Sequence, residues 1–367
     1  MTVGILGGGQ LGRMLALAGY PLGERSVLLD PSDSACAGHV APLIIADWAD
    51  ERALCDLADR SDVVTFEFEN VPGKSLSYLQ NHARVAPPAR ALEVAQDRLH
   101  EKQLFERLGI QTGPFAPASS RDELLEAVQK IGLPAVIKTR RFGYDGKGQA
   151  LVRNDRDVQN AWDKLGSLPL IVEAFVPFAF ELSAIVARNW QGDVARYPLI
   201  ENIHRAGILR ESRPASPKIT EELTEQAARA TDRLLKELDY VGVLTIEFFV
   251  TEQGLLANEC APRVHNSGHY SIEGALTSQF ENHMRAVLGA PLGDTSCHVR
   301  SAMLNCIGQM PDRDELAAIP GVCIHDYAKS PKPGRKVGHV TVLAENIEEL
   351  QDRLSRARAI VENATDT

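Results

Sequence analysis

The N-terminal part of the chain alternates short apolar runs with amphipathic stretches of helical period. The strand-like runs are Val3–Leu6, Ser26–Asp30 and Asp62–Phe66, and the helical stretches are Gln10–Ala18 and Asp50–Asp59. Short apolar runs joined by helices are typical of a parallel sheet that is buried on both faces. The pattern therefore predicts an α/β fold for this part of the chain.

The pattern changes after Pro87 and Pro88. A charged amphipathic stretch over Ala91–Leu108 predicts one helix, and Thr220–Leu238 predicts a second, longer helix. Two antiparallel hairpins are predicted, from Glu181–Arg188 with Val194–Leu199 and from Val241–Val250 with Leu255–Cys260. This mixture indicates an α+β fold, and the polar, proline-containing tail after about residue 295 predicts a small third unit.

Composition narrows the class of protein. The 367 residues are 44% hydrophobic and 24% charged with a formal net charge of −10, which is typical of a soluble protein of two or three domains and unlike a general nucleic-acid binder. The sequence contains no run of 18 apolar residues and no basic segment before its apolar N-terminus, so neither a membrane span nor a signal peptide is predicted. The six cysteines form no CxxC pair, which favours inert thiols and a cytoplasmic location.

A glycine-rich turn follows the first predicted strand. Gly7, Gly9 and Gly12 satisfy the G-x-G-x-x-G pattern at the start of a helix, where small residues and the helix N-terminus suit a phosphate group. Asp30 ends the next strand, where a dinucleotide-binding fold places its ribose-binding acid. On this motif alone a dinucleotide, another phosphate-bearing ligand and a tight turn without a ligand all stay open.

Two carboxylates interrupt a pair of otherwise apolar strands. Glu247 lies inside one strand, and Glu259 follows Asn258 in the next. A three-residue hairpin loop over residues 252–254 would place Glu247 opposite Glu259, and opposed carboxylates repel each other. A bound cation would relieve that repulsion, and Mg²⁺ prefers a few carboxylates together with substrate phosphates. The alternative is a different register that leaves one glutamate in solvent.

A lysine ends a further apolar strand and precedes a loop rich in glycine. The lysine is Lys138, and the loop Gly143–Gln149 combines three glycines with Lys147, which suits a mobile segment that folds over phosphate oxygens. Downstream, Glu173 interrupts an apolar strand and Glu181 follows an aromatic stretch, which suits a purine base and ribose hydroxyls. An ordinary hairpin turn is the alternative for the loop.

The order and spacing of these residues over residues 98–268 resemble the ATP-grasp superfamily, with a strand lysine, a glycine-rich loop, a hinge Glu-x-x-Val and a glutamate followed by Asn-Glu. Within that superfamily the chain closely resembles the N5-carboxyaminoimidazole ribonucleotide synthetase family of purine biosynthesis, nearly from end to end. The segments that carry the resemblance are Ile5–Arg13, Thr65–Pro72, Gly143–Gln149, Asn258–His269 and Pro333–His339.

The resemblance implies an ATP-grasp fold in three parts: a Rossmann-like domain over residues 1–97, an ATP-grasp domain of two subdomains over residues 98–294, and a small C-terminal domain over residues 295–367. It implies that ATP, bicarbonate and 5-aminoimidazole ribonucleotide react through carboxyphosphate to the N5-carbamate, ADP and phosphate, in a homodimer, with Mg²⁺ or in its place Mn²⁺. The alternatives are a formate-using glycinamide ribonucleotide enzyme of the same superfamily and, in another class, an NAD-dependent dehydrogenase.

The resemblance also implies roles for individual positions. The residues expected to contact ATP are Arg98, Lys138, Gly143, Tyr144, Asp145, Gly146, Lys147, Gly148, Gln149, Glu173, Ala174, Phe175, Val176, Glu181, His204, Asn258 and Glu259. Glu247 and Glu259 would hold the metal. The residues expected to meet the ribonucleotide are Gly8, Gly9, Gln10, Leu11, Glu67, His265, Asn266, Arg335 and Lys336. The candidate catalytic residues are Asp145 as proton acceptor, Lys147, and the bicarbonate partners Arg263 and Lys336.

Overall fold

The N-terminal sheet is parallel, as the alternation of strands and helices predicts. The computed structural model describes residues 1–143 and 146–365. The strands of this sheet, in the order β3-β2-β1-β4, are β1 Thr2–Leu6, β2 Arg25–Asp30, β3 Leu43–Ile45 and β4 Val63–Phe66. The helices of this part are α1 Gln10–Gly19, α2 Glu51–Asp59, α3 Gly73–Leu79 and α4 Ala89–Ala95. The predicted α/β fold of this part of the chain is confirmed.

The single helix predicted over Ala91–Leu108 is wrong, because the structure has two helices there. Helix α4 ends at Ala95, and α5 runs over Arg98–Arg107. Asp97 separates them as the N-cap of α5: its side chain accepts a hydrogen bond from Leu99 N at 3.1 Å. Helix α5 packs against β14 (Gly254–Ala261), a strand of the largest sheet.

A small antiparallel sheet covers the next part of the chain. In the order β5-β8-β6-β7 its strands are β5 Phe115–Ala118, β6 Ala135–Thr139, β7 Gln149–Val152 and β8 Leu170–Ala174. Helices α6 Arg121–Ile131 and α7 Asp155–Leu165 pack on this sheet and bury Leu124, Val128 and Val158 against it. Strand β6 ends next to the predicted phosphate loop, and β8 ends at the predicted hinge.

The largest sheet joins the central and C-terminal parts of the chain. Its strand order is β14-β13-β9-β11-β12-β15-β17-β16, with β10 paired to β9. The strands are β9 Phe180–Arg188, β10 Val194–Arg196, β11 Ile200–Arg205, β12 Ile208–Pro214, β13 Gly242–Thr251, β14 Gly254–Ala261, β15 Arg300–Ile307, β16 Val322–Asp326 and β17 Lys336–Ala344. The helices are α8 Glu221–Glu237, α9 Ser271–Gly274, α10 Gln279–Leu288, α11 Arg313–Ala317 and α12 Ile347–Thr365. Pairing of β12 with β15 makes the tail a continuation of this sheet.

The hairpin β13–β14 pairs the two glutamates, although its loop differs from the predicted one. Thr251 pairs with Gly254, so the loop is two residues long and not three. Phe248 then pairs with Ala257, a β-bulge follows, and Glu247 pairs with Glu259. The bulge offsets the shorter loop, and the predicted opposition of the carboxylates is confirmed.

None of the helices within residues 1–143 and 146–365 combines the length and the apolar character that crossing a bilayer requires.

Candidate active site

Two buried lysines share one carboxylate at the end of β6. Lys138 Nζ lies 3.0 Å from Glu173 Oε2, and Lys102 Nζ lies 3.4 Å from the same oxygen. Burial opposes ionisation of Glu173, but Lys102 and Lys138 outweigh it and lower its pKa to about 2. Burial also lowers the pKa of Lys138. The result is a cationic pair of ammonium groups at a place where only one lysine was predicted.

The opposed carboxylates of β13 and β14 lie next to this pair. Arg98 Nη1 lies 2.6 Å from Glu259 Oε2. Burial and the nearby Glu259 raise the pKa of Glu247 to about 7. Burial works against ionisation of Glu259, yet Arg98 lowers its pKa. The two carboxylates thus differ because only one of them has a guanidinium partner.

The same place fits a divalent cation. Asn258 Oδ1 is buried and accepts no hydrogen bond among the described residues. That oxygen, Glu247 and Glu259 form an all-oxygen donor set, which Mg²⁺ and Mn²⁺ accept when phosphate oxygens and waters complete it. Within the described parts of the chain no group of three or more histidine, cysteine, aspartate and glutamate side chains could hold a metal.

The predicted hinge and purine side of the site follows β8. Ala174 ends that strand, and Phe175 is 44% exposed just beyond it. Phe178 stacks on Phe249 with ring centroids 4.7 Å apart, so the hinge carries a flat apolar surface. Val176 lies between these aromatic residues in the chain.

Glu181 and His204 face each other across β9 and β11. His204 Nδ1 lies 3.1 Å from Glu181 Oε2. Burial lowers the pKa of His204, but Glu181 and Glu247 outweigh that effect and raise it. This pair therefore belongs to the same electrostatic neighbourhood as the opposed carboxylates.

The glycine-rich loop after Lys138 lies over this neighbourhood. Gly146 and Gly148 have φ of +76° and +71°, a conformation that side chains with a Cβ rarely adopt. Arg98 Nη2 donates to Gly143 O at 3.4 Å, and Gln149 pairs with Lys138 in the sheet. The predicted residues Tyr144 and Asp145 lie outside the described residues.

The N-terminal glycine turn is occupied by carboxylates of the chain itself. Gly8 N donates to Asp30 Oδ2 at 2.8 Å, and Gly9 N donates to Glu67 Oε1 at 2.8 Å. Asp30 therefore stabilises the turn, and this geometry does not favour its role as a ribose acid in a dehydrogenase. The Leu11 side chain lies in the core, so only its backbone faces the turn. Gln10 contacts Lys329 at the open side.

A third cluster of predicted residues joins the central and C-terminal parts of the chain. His265 Nε2 lies 3.3 Å from Glu247 Oε1. Burial lowers the pKa of His265 well below its usual value, and the positive charges of Arg263 and Lys336 add to that effect. Arg263 Nη2 lies 2.8 Å from Glu69 Oε1. Lys336, at the start of β17, is thus brought next to residues of β13 although 89 positions separate it from Glu247.

Two predicted substrate residues are held by other parts of the chain. Asn266 exchanges two side-chain hydrogen bonds with Asn305, at 3.1 and 2.7 Å. Arg335 Nη1 donates to Ser330 Oγ at 2.8 Å. The Asn266 amide is therefore a link to β15, and Arg335 lies at the rim.

Sequence reasoning missed several residues of the site. Glu101 and Lys102 stand three and four positions after Arg98, which places them on one helix face, and that spacing could have revealed them. Glu69 was not among the predicted site residues, yet its carboxylate lies 2.8 Å from Arg263 Nη2. No sequence pattern pointed to Lys329, because its neighbour Gln10 is 319 residues away.

Comparison with known families places the chain in a class. It matches the ATP-grasp domain over residues 103–280, the ribonucleotide synthetase preATP-grasp domain over residues 1–96, and the phosphoribosylaminoimidazole carboxylase C-terminal domain over residues 301–353. Together with the fold and the strand lysine, loop and carboxylate pair, these matches define an ATP-grasp ligase.

Individual relatives narrow the class further. N5-carboxyaminoimidazole ribonucleotide synthase of Pseudomonas aeruginosa is 49% identical over 362 residues, 99% of this chain and 100% of that protein. The synthetase crystal structure from Thermus thermophilus is 50% identical, covers 98% of each chain and has a TM-score of 0.94. That of the Aspergillus clavatus synthase with ADP and 5-aminoimidazole ribonucleotide is 30% identical, with a TM-score of 0.90, over 99% of this chain and 98% of that one. The chain belongs to the N5-carboxyaminoimidazole ribonucleotide synthase family.

Proposed function

We propose that this chain carboxylates 5-aminoimidazole ribonucleotide with bicarbonate and ATP, giving N5-carboxyaminoimidazole ribonucleotide, ADP and phosphate in purine biosynthesis. One observation carries the proposal: Glu247 is opposed by Glu259 from β14, lies 3.3 Å from His265 Nε2 and feels the positive charge of Lys336. Glu247 would thus be the point where a phosphate-binding half and a carboxylating half of the site meet. A site with only one half would suit ATP hydrolysis or ribonucleotide binding, and not a transfer between them.

The first step is phosphoryl transfer to bicarbonate. A bicarbonate oxygen bonds to the γ-phosphorus, the bond from that phosphorus to the ADP oxygen breaks, and carboxyphosphate forms. Lys138 and Arg98 would offset the charge on the transferring group. Glu247, Glu259 and Asn258 would hold Mg²⁺ or Mn²⁺, which supplies further neutralisation of the phosphate oxygens.

The glycine-rich loop would protect the intermediate. Carboxyphosphate is lost quickly in water, so the loop has to cover the site before the first step. Gly146 lies against the turn between β11 and β12, since a Cβ placed on Gly207 would lie 2.8 Å from Gly146 Cα. The loop therefore meets the largest sheet through the backbone of Gly146.

The second step joins nitrogen to carbon. The 5-amino group attacks the carbonyl carbon of carboxyphosphate, or the CO₂ released from it, the carbon–oxygen bond to phosphate breaks, and the amine gives up one proton. Arg263 and Lys336 would hold the carboxylate. Asp145 is proposed as the proton acceptor, and Lys147 would assist from the same loop.

The ribonucleotide would lie between the N-terminal turn and the C-terminal sheet. Gly8, Gly9 and Gln10 line the first side and Arg335 the second, while Lys329 contacts Gln10 between them. Two cations at the rim suit the phosphate of the ribonucleotide.

One assay tests the proposed reaction directly. ADP release is measured with ATP and 5-aminoimidazole ribonucleotide, with and without bicarbonate, and with formate as the comparison. Release that depends on bicarbonate supports the proposal, and release that depends on formate would contradict it. Glu259→Ala should abolish the bicarbonate-dependent release at saturating ATP, and near-normal turnover would contradict the metal assignment.

A pair of lysine variants tests the carboxylating half. Lys336→Ala should reduce product formation far more than ADP affinity, because its charge acts on Glu247 and His265. Lys332→Ala removes the same charge at an exposed position shortly before β17 and serves as the control. An equal loss of ADP affinity and product formation in Lys336→Ala would contradict this assignment.

We also propose that the enzyme is a cytoplasmic homodimer. Cys36, Cys55, Cys260, Cys297, Cys306 and Cys323 are all free thiols, which suits a reducing compartment. The dimer rests on the family resemblance, and light scattering of the purified protein would test it: a monomer mass would contradict it.

A further inference from the structure

One face of helix α5 makes hydrogen bonds to the outer edge of β14. Arg98, Glu101 and Lys102 are at positions i, i+3 and i+4 and therefore project from the same side of the helix. Glu101 and Lys102 are 1% and 2% exposed. Glu101 Oε1 accepts a hydrogen bond from Cys260 N at 2.6 Å, and Lys102 Nζ donates to Ala257 O at 3.3 Å. These two contacts enclose the pair Asn258 and Glu259.

The spacing of those two contacts along β14 shows that the strand has a bulge between them. In a regular strand, backbone groups that point to the same edge belong to residues an even number apart. Ala257 and Cys260 both turn their backbone groups to the outer edge, and they are three residues apart. Such odd spacing requires one extra residue between them, and Asn258 is that residue.

The bulge decides which side chain opposes Glu247. Without it Asn258 would pair with Glu247, and Glu259 would turn to the other face of the sheet. The outer edge is further tied by Ala257 N, which donates to Gln111 O at 2.7 Å just after the end of α5. The backbone groups around the bulge are thus held by the segment that carries Arg98.

We propose that Glu101 and Lys102 are positioning residues that hold the bulge at Asn258 and so keep Glu259 opposite Glu247. The inference rests on the proposed function in that these two carboxylates and Asn258 bind the divalent cation. Each positioning residue acts through the backbone of β14, at Cys260 N and Ala257 O. Lys102 has a second effect through Glu173, so Glu101 gives the cleaner test.

The first measurement needs no metal. Amide hydrogen exchange over Leu255–Ala261 is followed in the metal-free protein at residue level. Glu101→Leu removes the acceptor of Cys260 N and should speed its exchange on the order of tenfold or more. Glu101→Gln keeps an acceptor oxygen and should stay near the wild type, as should Glu106→Leu on the exposed face of the same helix. Unchanged protection of Cys260 in Glu101→Leu would overturn the proposal.

The second measurement follows Mn²⁺ binding in the presence of ADP by electron paramagnetic resonance. Glu101→Leu should weaken binding on the order of tenfold, with Glu101→Gln within about threefold. Wild-type Mn²⁺ affinity in Glu101→Leu would overturn the coupling of bulge to metal. If Glu247→Gln binds Mn²⁺ as the wild type does, the metal assignment in the proposed function fails, while the exchange result still decides the role of Glu101.

A third variant covers the case in which Glu101→Leu does not fold. Lys102→Met keeps the aliphatic stem and removes the donor to Ala257 O. It should speed exchange at Asn258 and Glu259 on the order of tenfold relative to the exposed-face control. Exchange at the wild-type rate in this variant would overturn the proposal for Lys102.

Discussion

The chain contains two glycine-rich segments that look alike in sequence and differ in structure. In the segment Gly7–Gly12 the backbone amides of Gly8 and Gly9 are taken by Asp30 and Glu67. In Gly143–Gln149 the glycines pack on Thr139 and on the turn after β11, and the atoms nearest to them among the described residues belong to no carboxylate. Glycine spacing therefore predicts that another group comes close to the backbone, but it does not predict which group this is.

The carboxylates around the two segments differ in the same way. Around the first, their oxygens accept hydrogen bonds from backbone N–H groups of the turn. Beside the second, Glu247 faces Glu259, and the nearby Asn258 oxygen accepts no hydrogen bond among the described residues. Acids whose oxygens accept hydrogen bonds from backbone N–H groups of the chain are structural, whereas opposed carboxylates beside an unengaged oxygen are suited to a cation.

The largest expected effect separates the two groups of carboxylates. Glu247→Gln should lower bicarbonate-dependent ADP release by at least about 100-fold, because the proposed divalent cation loses one of the two carboxylates that would hold it at the transferring phosphoryl. The free energy of unfolding of the ligand-free protein should stay the same or rise, since the repulsion from Glu259 is removed. Turnover and urea unfolding are measured on the same preparation. If the Glu247→Gln protein is less stable than the wild type and keeps full turnover, Glu247 is a structural acid and the comparison is reversed.

The next effect concerns the stability of the first segment. Gly7 has φ of +114°, and a Cβ there would lie 2.5 Å from Glu67 Cγ. Gly7→Ala should therefore lower the free energy of unfolding by roughly 3 kcal/mol, measured by urea unfolding. Gly23→Ala is the control, because its φ is +76° with open space around it, and it should lose only about 1 kcal/mol. Equal losses would show that the contact with Glu67 is unimportant.

A substitution in the second segment, Gly143–Gln149, should change ATP binding and leave the free energy of unfolding nearly unchanged. Gly148 has φ of +71°, and a Cβ there would lie 2.6 Å from Thr139 Oγ1. Gly148→Ala should raise the KM for ATP on the order of tenfold while unfolding changes by less than about 1.5 kcal/mol, because the loop can shift without disturbing the core. Steady-state kinetics and thermal unfolding check this. Gly132→Ala, also at positive φ and in open space, should keep the wild-type KM.

The smallest effect is expected at Glu67. Burial raises its pKa above the usual 4.5, so the folded state keeps a proton that the unfolded chain has lost. This carboxyl therefore subtracts stability as the pH rises from 4.5 towards the folded-state pKa. Glu67→Gln, which still accepts from Gly9 N, should equal the wild type at low pH and be equally or slightly more stable at neutral pH. Its KM for the ribonucleotide should change by less than about threefold.

The Glu67 experiment is a pH series of unfolding midpoints for both proteins. A variant that loses stability relative to the wild type as the pH rises would show that the ionised carboxylate stabilises the turn. In that case Glu67 would behave like an ion-paired acid, whose ionised form stabilises the folded state, and it would differ less from Glu247.

Much of the fold was predictable because period and burial are local properties. The alternation in the first part of the chain predicted the parallel sheet, and Glu221–Glu237 formed the helix expected over Thr220–Leu238. The break at Asp97 was missed because the helical pattern continues through it. The three-residue loop was wrong because Gly254 suits either loop length, and register depends on the pairing of the whole strand.

The chemistry of the site was predictable where one segment carries it. Lys138, its loop, and Asn258 with Glu259 are each local patterns whose spacing survives in the sequence alone. The two acids that fill the first glycine turn belong to β2 and to the residue after β4, so their contacts follow from the order of the sheet. The same holds for Lys102, which reaches Glu173 from another element.

The sequence by itself determined the parallel sheet of the N-terminal part, the strand lysine, the glycine-rich loop after it and the presence of a carboxylate pair. Each of these depends on residues within a few positions of one another. Only the tertiary structure decided that Asp30 and Glu67 occupy one glycine turn and that a bulge held by Glu101 and Lys102 sets the pair Glu247 and Glu259. Those choices depend on which distant strands and helices become neighbours. Those neighbours then decide whether a charged group is satisfied by the chain or is left for a ligand.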